Sequence, residues 1–135
     1  MDRMGSTARI LIADGQTKVR FGLRVLLERQ AGIEVAGEAV DADTLLAQVS
    51  GACPELILLA WDLPGAPVGQ TLVDLRASCP GVLLIALSAR PEARQEALAA
   101  GADAFVSKTA PPEQLLGAIT ALLAAGRSQD GVTRQ

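Results

Sequence analysis

Four residues whose side chains could do chemistry each follow an apolar run of the sequence: Asp14, Asp62, Ser88 and Lys108. Carboxylates can hold a divalent cation or act as nucleophiles, and hydroxyl and ammonium groups can bind an anion. The chain contains no histidine, which excludes Ser-His-Asp and Cys-His catalytic systems, imidazole acid–base chemistry and most zinc sites. Any chemistry must therefore use carboxylates, lysine and hydroxyls.

An alternation of apolar runs and amphipathic segments positions these residues. Strands are predicted at 9–13, 33–37, 56–60, 82–87 and 104–106, and helices around Val19 to Leu27 and near 42–51, 68–78, 91–100 and 112–125. Continuous apolar strands separated by helices indicate a parallel sheet that is covered on both faces. In such sheets, ligands bind beyond the carboxyl ends of the strands.

All four polar side chains lie at that edge of the predicted sheet. Taken singly, each has an ordinary structural explanation: Asp14 or Ser88 could cap a helix, Asp62 could form a turn, and Lys108 could be a solvated surface charge. Their recurrence after successive strands favours a shared site, although the third strand itself ends at Ala60.

Composition restricts the classes of function. A chain of 135 residues fits one domain, and a net charge of −3 without a Lys/Arg cluster argues against direct nucleic-acid binding. The apolar stretch at 115–125 is too short to span a membrane, and no signal peptide is recognisable. Cys53 and Cys79 are predicted to be small buried residues that stay reduced, so a cytoplasmic location is expected.

Five segments together resemble the receiver domain of two-component response regulators, and in particular the receivers that precede a LuxR/NarL-type DNA-binding domain. They are ILIADGQTKVRFGLRVLL (10–27), PELILLAWDLPG (54–65), LLIALSA (83–89), AGADAFVSK (100–108) and APPEQLLGAI (110–119). The resemblance covers residues 8–125. It implies a flavodoxin-like (βα)5 three-layer α/β sandwich with a five-stranded parallel sheet in the order 2-1-3-4-5.

The resemblance also implies roles for individual residues. In the family, an acidic pair after the first strand helps to hold Mg²⁺, and an aspartate that ends the third strand accepts a phosphoryl group from a kinase. Here the pair is Asp14 and Gly15, and the acceptor position is Ala60. Asp62 falls where the family uses a backbone carbonyl as a metal ligand. Three further matches are the switch hydroxyl Ser88, the switch aromatic Phe105 and the phosphate-binding Lys108.

These substitutions predict a receiver that has lost its phosphorylation chemistry. Alanine offers no nucleophile, and Mg²⁺ prefers a rigid oxygen site that is anchored by one or two carboxylates. With only Asp14 left of three acids, tight Mg²⁺ binding, a bound cofactor and enzymatic activity are not expected. We expect Lys108 instead to pair with Asp14 or to reach Asp62, since a buried unpaired lysine would cost about 3 kcal/mol or more.

Two alternatives remain at this point. Asp62 could replace the missing acceptor, or the chain could be a small enzyme on the same sheet, although the latter lacks a glycine-rich phosphate loop or a paired-acid site. The sequence also leaves open whether Ala60 is natural or an introduced replacement. Gly15 favours a site that was already degenerate.

The remaining predictions concern organisation and partners. Residues 1–7 are predicted to be a disordered N-terminal segment, 8–125 the receiver domain, and 126–135 a linker or C-terminal tail. The resemblance implies protein partners, including a homodimer, and a DNA-binding domain outside this chain. We therefore predict the regulatory part of a transcription regulator, with no membrane partner.

Overall fold

The computed structural model describes the backbone of residues 7–133 and the side chains of residues 7–126. The predicted disordered segment 1–7 therefore lies, except for Thr7, outside the described residues. Strands and helices alternate five times: β1 (Ala8–Ala13), α1 (Thr17–Glu28), β2 (Ile33–Ala39), α2 (Ala42–Gly51), β3 (Leu56–Ala60), α3 (Val68–Ser78), β4 (Leu83–Ser88), α4 (Ala93–Ala100), β5 (Ala104–Ser107) and α5 (Pro112–Thr133).

The five strands form one parallel sheet in the order β2-β1-β3-β4-β5, which confirms the predicted fold. One hydrophobic core lies between the sheet and α2, α3 and α4, and includes Leu45, Leu75 and Ala97. The other lies between the sheet and α1 and α5, and includes Leu27 and Ile119. The protein is thus a three-layer α/β sandwich.

The central strand β3 explains why the sequence shows a continuous apolar run there. All five of its residues are buried. Ile57 and Leu59 pack into one core, whereas Leu56 and Leu58 pack into the other, because successive side chains point to opposite faces of a sheet. A strand covered on both faces needs apolar residues at every position.

The prediction for the two cysteines was wrong. Cys53 and Cys79 form a disulfide with a Cα–Cα distance of 5.8 Å, and only Cys79 is buried, because Cys53 is exposed. The physical reason is the topology. β3 and β4 are parallel neighbours, so the residues that precede each strand come together at the same edge of the sheet.

The last helix is longer than the sequence predicted. It was expected to end near residue 125, but α5 continues to Thr133 and so extends into the segment predicted as a linker or tail. The division of the chain at residue 125 remains a prediction, since a helix can also connect two domains. No helix in the described part of the chain combines the length and the apolar character that crossing a membrane requires.

Candidate functional site

The carboxyl ends of β1, β3 and β5 bring three of the predicted site residues into contact. Asp14 follows β1 directly, Asp62 follows the end of β3 by two residues, and Lys108 follows β5. The Lys108 Nζ atom lies 2.8 Å from Asp14 Oδ2 and 3.7 Å from Asp62 Oδ1. Both contacts that the sequence predicted for this lysine are therefore present, and the contact with Asp14 is the closer one.

Asp14 is a buried carboxylate with one hydrogen-bonded oxygen and one oxygen in an ion pair. The residue is 1% exposed. Its Oδ1 accepts a hydrogen bond of 2.8 Å from the backbone N–H of Gln16, at the start of α1. Its Oδ2 has no hydrogen-bond partner in the described part of the chain, so the charge on that oxygen is balanced by the Lys108 ammonium. The buried part of the site is a neutral ion pair.

The Lys108 ammonium lies between the buried Asp14 carboxylate and the exposed Asp62 carboxylate. Its side chain is 15% exposed, whereas that of Asp62 is 66% exposed. The Lys108 backbone N–H donates a 2.9 Å hydrogen bond to the carbonyl oxygen of Ser88, which fixes the start of the loop after β5 against the end of β4. The lysine is thus held from both its backbone and its side chain.

Ser88 and Phe105 lie near this edge but take no part in the ion pair. Ser88 is buried, and its Oγ accepts a 3.0 Å hydrogen bond from the backbone N–H of Arg90, within its own loop. Phe105 is half-buried and packs against the core formed with α2, α3 and α4. The structure gives both residues local partners and places no charged group on the Ser88 hydroxyl within the described residues.

Ala60 and its neighbours form a tightly packed turn at the end of β3. Ala60 is fully buried, and its carbonyl accepts a 3.1 Å hydrogen bond from the Leu63 N–H. Trp61 is 4% exposed, and its indole N–H has no hydrogen-bond partner in the part of the chain described here. Pro64 approaches the first loop so closely that a Cβ atom on Gly15 would lie 3.1 Å from the proline ring.

An arginine pair on α1 holds the first loop in place, and sequence reasoning missed it. Arg20 donates from Nη1 to the Asp14 carbonyl oxygen at 2.9 Å and from Nε to Glu38 on β2 at 3.0 Å. Arg24, one turn further along α1, also donates to Glu38. The available signal was the spacing of Arg20 and Arg24, which places two cations on one face of a helix beside an acidic strand.

The charge on Glu38 should make folding stability depend on pH in the acid range. Burial raises the pKa of this carboxyl group, but the hydrogen bonds from Arg24 and Arg20 outweigh it, so the pKa is lowered from 4.5. A lowered folded-state pKa contributes stability above the unfolded-state value, and this contribution is lost as the pH falls through the folded-state value. The Glu38 charge therefore stabilises the fold above about pH 4.5 and ceases to do so in more acidic solution.

We expect Glu38→Gln to lower the free energy of unfolding at neutral pH by about 1 kcal/mol and to make it less dependent on pH in the acid range. Urea unfolding at pH values between about 3 and 7 measures both effects. The matched control is Glu28→Gln, because Glu28 is more exposed and contacts only Arg24. If the unfolding free energies of wild type and Glu38→Gln depended on pH in the same way, the stabilising role of the Glu38 charge would be contradicted.

Across residues 7–126, whose side chains the structure describes, no three His, Cys, Asp or Glu side chains cluster as a metal site requires. The carboxylates at the site edge are Asp14, which is engaged by Lys108, and the exposed Asp62. The arrangement can hold one internal ion pair and present one surface carboxylate.

Comparison with known proteins agrees with this geometry. Residues 10–120 match the response regulator receiver domain family. The chain is 30% identical over 115 residues to the transcriptional regulatory protein YxjL of Bacillus subtilis, a match that covers 84% of this chain and 53% of the relative. It is 33% identical over 114 residues to the nitrate/nitrite response regulator NarL of Escherichia coli, covering 83% and 53% respectively. The chain thus spans about half the length of these relatives.

Two solved structures are also similar. A LuxR-family two-component response regulator from Aurantimonas superposes with a TM-score of 0.82 at 30% identity, covering 89% of this chain and 87% of that one. A CheY-like receiver domain protein from Methanospirillum hungatei gives a TM-score of 0.80 at 28% identity, covering 92% and 99%. The family match over residues 10–120, the strand order and these relatives agree with one another. The chain therefore belongs to the response regulator receiver domain family.

Proposed function

We propose that this chain is the receiver domain of a transcriptional response regulator and that it acts without aspartyl phosphorylation, as a protein-binding module and not as an enzyme. The transcriptional role is supported by relatives named as transcriptional or nitrate/nitrite response regulators, of which the chain covers about half. The independence from phosphorylation is supported by the site itself.

The observation that carries the proposal is Ala60. It is the last residue of β3 and is fully buried, at the position where the family resemblance places the aspartate that accepts the phosphoryl group. Acyl-phosphate formation needs a nucleophilic oxygen in line with the leaving group. A methyl group supplies none, so the transfer has no acceptor at this position.

The Mg²⁺ ion that the family implies does not fit the residues present. Of the acidic pair, Gly15 has no side-chain ligand, and both oxygens of Asp14 are engaged, one by Gln16 N–H and the other by Lys108. A cation would have to displace the lysine from its only buried carboxylate partner. Asp62 is exposed and one carboxylate is a weak anchor for this ion.

The position of Asp62 argues against its use as a substitute acceptor. Its side chain is 66% exposed, so the carboxylate projects into solvent, whereas phosphoryl transfer needs a nucleophilic oxygen that is held in line with the leaving group. If Asp62 were the acceptor, Asp62→Asn would abolish phosphate uptake that the unchanged chain shows.

Incubation with acetyl phosphate and Mg²⁺ tests the proposal. We expect the intact mass of the chain to remain unchanged, because no carboxylate lies at the end of β3. Appearance of a species heavier by one phosphoryl group would overturn the proposal, and the same experiment on Asp62→Asn would then show whether Asp62 is the modified residue.

A regulator that does not depend on phosphorylation must act through its surfaces. We propose protein partners, with a homodimer as one of them, and a DNA-binding domain that would be joined after α5 in a longer chain; relatives about twice as long leave room for such a domain. We also propose no direct contact of this domain with nucleic acid, given its net charge of −3. A cytoplasmic location is proposed from membership of the receiver family and no longer from the cysteines, because they form a disulfide.

A further inference from the structure

The Cys53–Cys79 pair lies at the amino ends of β3 and β4, at the edge of the sheet opposite to Asp14 and Lys108. The two cysteines differ in accessibility: Cys53 is exposed, whereas Cys79 is 2% exposed. A disulfide with one half in an exposed residue is the kind that a thiol from solution can attack, because exposed disulfides are the ones that undergo exchange.

Backbone hydrogen bonds that do not involve the sulfur atoms hold Cys79 and Glu55, which lies two residues after Cys53. The Glu55 N–H donates to the Arg9 carbonyl at 2.9 Å, and the Leu83 N–H donates to the Glu55 carbonyl at 3.0 Å. The Val82 N–H donates to the Cys79 carbonyl at 3.0 Å. None of these bonds involves a sulfur atom, so we expect them to persist when the disulfide is reduced and to keep the two thiols within reach of each other for reoxidation.

The surroundings of Cys53 suit a small peptide thiol that carries charges of both signs. An open cavity of about 470 Å³ lies beside the pair, and its lining includes Pro54, Glu55 and Leu123. The Arg9 guanidinium donates a 3.2 Å hydrogen bond to the Cys53 carbonyl, and Glu55 is exposed nearby. The Glu55 carboxylate accepts a 2.8 Å hydrogen bond from the backbone N–H of Arg9, so one cation and one anion lie close to Cys53.

We propose that Cys53 and Cys79 form a reversible thiol–disulfide site for a low-molecular-weight thiol of the glutathione class, with Cys53 as the entry point and Cys79 as the resolving residue. In oxidation, the Cys53 thiolate attacks one sulfur of glutathione disulfide, forms a mixed disulfide and releases one glutathione thiolate. The Cys79 thiolate then attacks Cys53 Sγ, forms the internal disulfide and releases the second.

The reaction balances without a further reagent. The two cysteine thiols are oxidised, one glutathione disulfide is reduced to two glutathione molecules, and the two cysteine protons end on the released thiolates. Reduction follows the same steps in reverse. The cysteine site uses none of the residues at the opposite edge of the sheet. The thiol–disulfide proposal can therefore be tested independently of the proposed loss of phosphorylation.

The test uses the full chain, reduced and then exposed to glutathione disulfide, with samples quenched in acid and analysed by intact mass and peptide mapping. Wild type should lose two hydrogens and, at early times, carry glutathione on Cys53. Cys79→Ser should accumulate one glutathionyl group on Cys53. Cys53→Ser should be modified about tenfold more slowly, because its remaining thiol is buried.

Three outcomes would overturn the proposal: equal rates of modification for the two single variants, early wild-type adducts on Cys79, or an internal disulfide that an excess of reduced glutathione fails to open. The early adduct in wild type needs no substitution, so this readout remains decisive if a variant folds poorly.

Discussion

The double variant Gly15→Asp with Ala60→Asp should take up one phosphoryl group from acetyl phosphate in the presence of Mg²⁺, whereas the unchanged chain should take up none. Ala60 ends β3 at the edge where Asp14 and Lys108 meet, so an aspartate there would supply the missing nucleophile. The site would then contain three carboxylates and one ammonium. The surplus of about two negative charges is what a divalent cation can offset.

The structure also indicates where the restored site would be strained. A Cβ atom at Gly15 would lie 3.1 Å from the Pro64 ring, so the turn after β3 must move by a few tenths of an ångström to accept a side chain. We therefore expect the single variant Ala60→Asp to fold more easily than the double variant but to be phosphorylated more slowly, because it still lacks the second acid of the pair.

Intact mass spectrometry measures the uptake. The matched control is Gly15→Asp with Ala60→Asn, which has nearly the same shape but no nucleophilic oxygen, and it should remain unmodified. If the aspartate variant folds and still takes up no phosphoryl group, the site has lost more than its carboxylates, and Ala60 alone would not explain the loss.

Replacing Lys108 with methionine should lower the free energy of unfolding by about 3–5 kcal/mol, because it leaves the buried Asp14 carboxylate without its charge partner. Asp14 is 1% exposed, and Lys108 Nζ is 2.8 Å from its Oδ2. Methionine keeps most of the volume of the lysine stem, so the loss should come mainly from the charge. Urea unfolding at neutral pH measures it.

Two further variants isolate the ion pair. Asp62→Asn removes the more distant and exposed carboxylate at 3.7 Å and should change stability by no more than about 0.5 kcal/mol. Asp14→Asn combined with Lys108→Met removes both charges together and should be less damaging than the sum of the two single changes. Additive effects would show that the two side chains do not stabilise each other.

Periodicity and apolar runs were sufficient to predict the order of elements, because the central strands β1, β3 and β4 are largely buried and the helices pack apolar residues against the sheet. The helices α2 and α3 and the strand β3 have the predicted bounds. The placement of Asp14, Asp62 and Lys108 at one edge could be predicted too, since parallel strands bring their carboxyl ends together. The contact between Lys108 and Asp14 followed from charge balance in a buried site.

Features that depend on contacts between distant segments could not be predicted in the same way. The spacing of Cys53 and Cys79 contains no recognised motif, and their pairing depends on β3 and β4 being neighbours. The contacts of Glu38 with Arg20 and Arg24 likewise require α1 to lie across β2. The extension of α5 to Thr133 passes through Gly126 and Gly131, two glycines that suggested an end to the helix.

Trp61 gives this domain an intrinsic optical reporter. It is the single tryptophan of the chain, it is buried in the core on the side of α2, α3 and α4, and its N–H has no hydrogen-bond partner within the described residues. Indole emission shifts with local polarity, so tryptophan fluorescence would report on the turn beside the ion pair and on the core against which Trp61 packs. Changes at this edge of the sheet can therefore be followed by fluorescence without attaching a label.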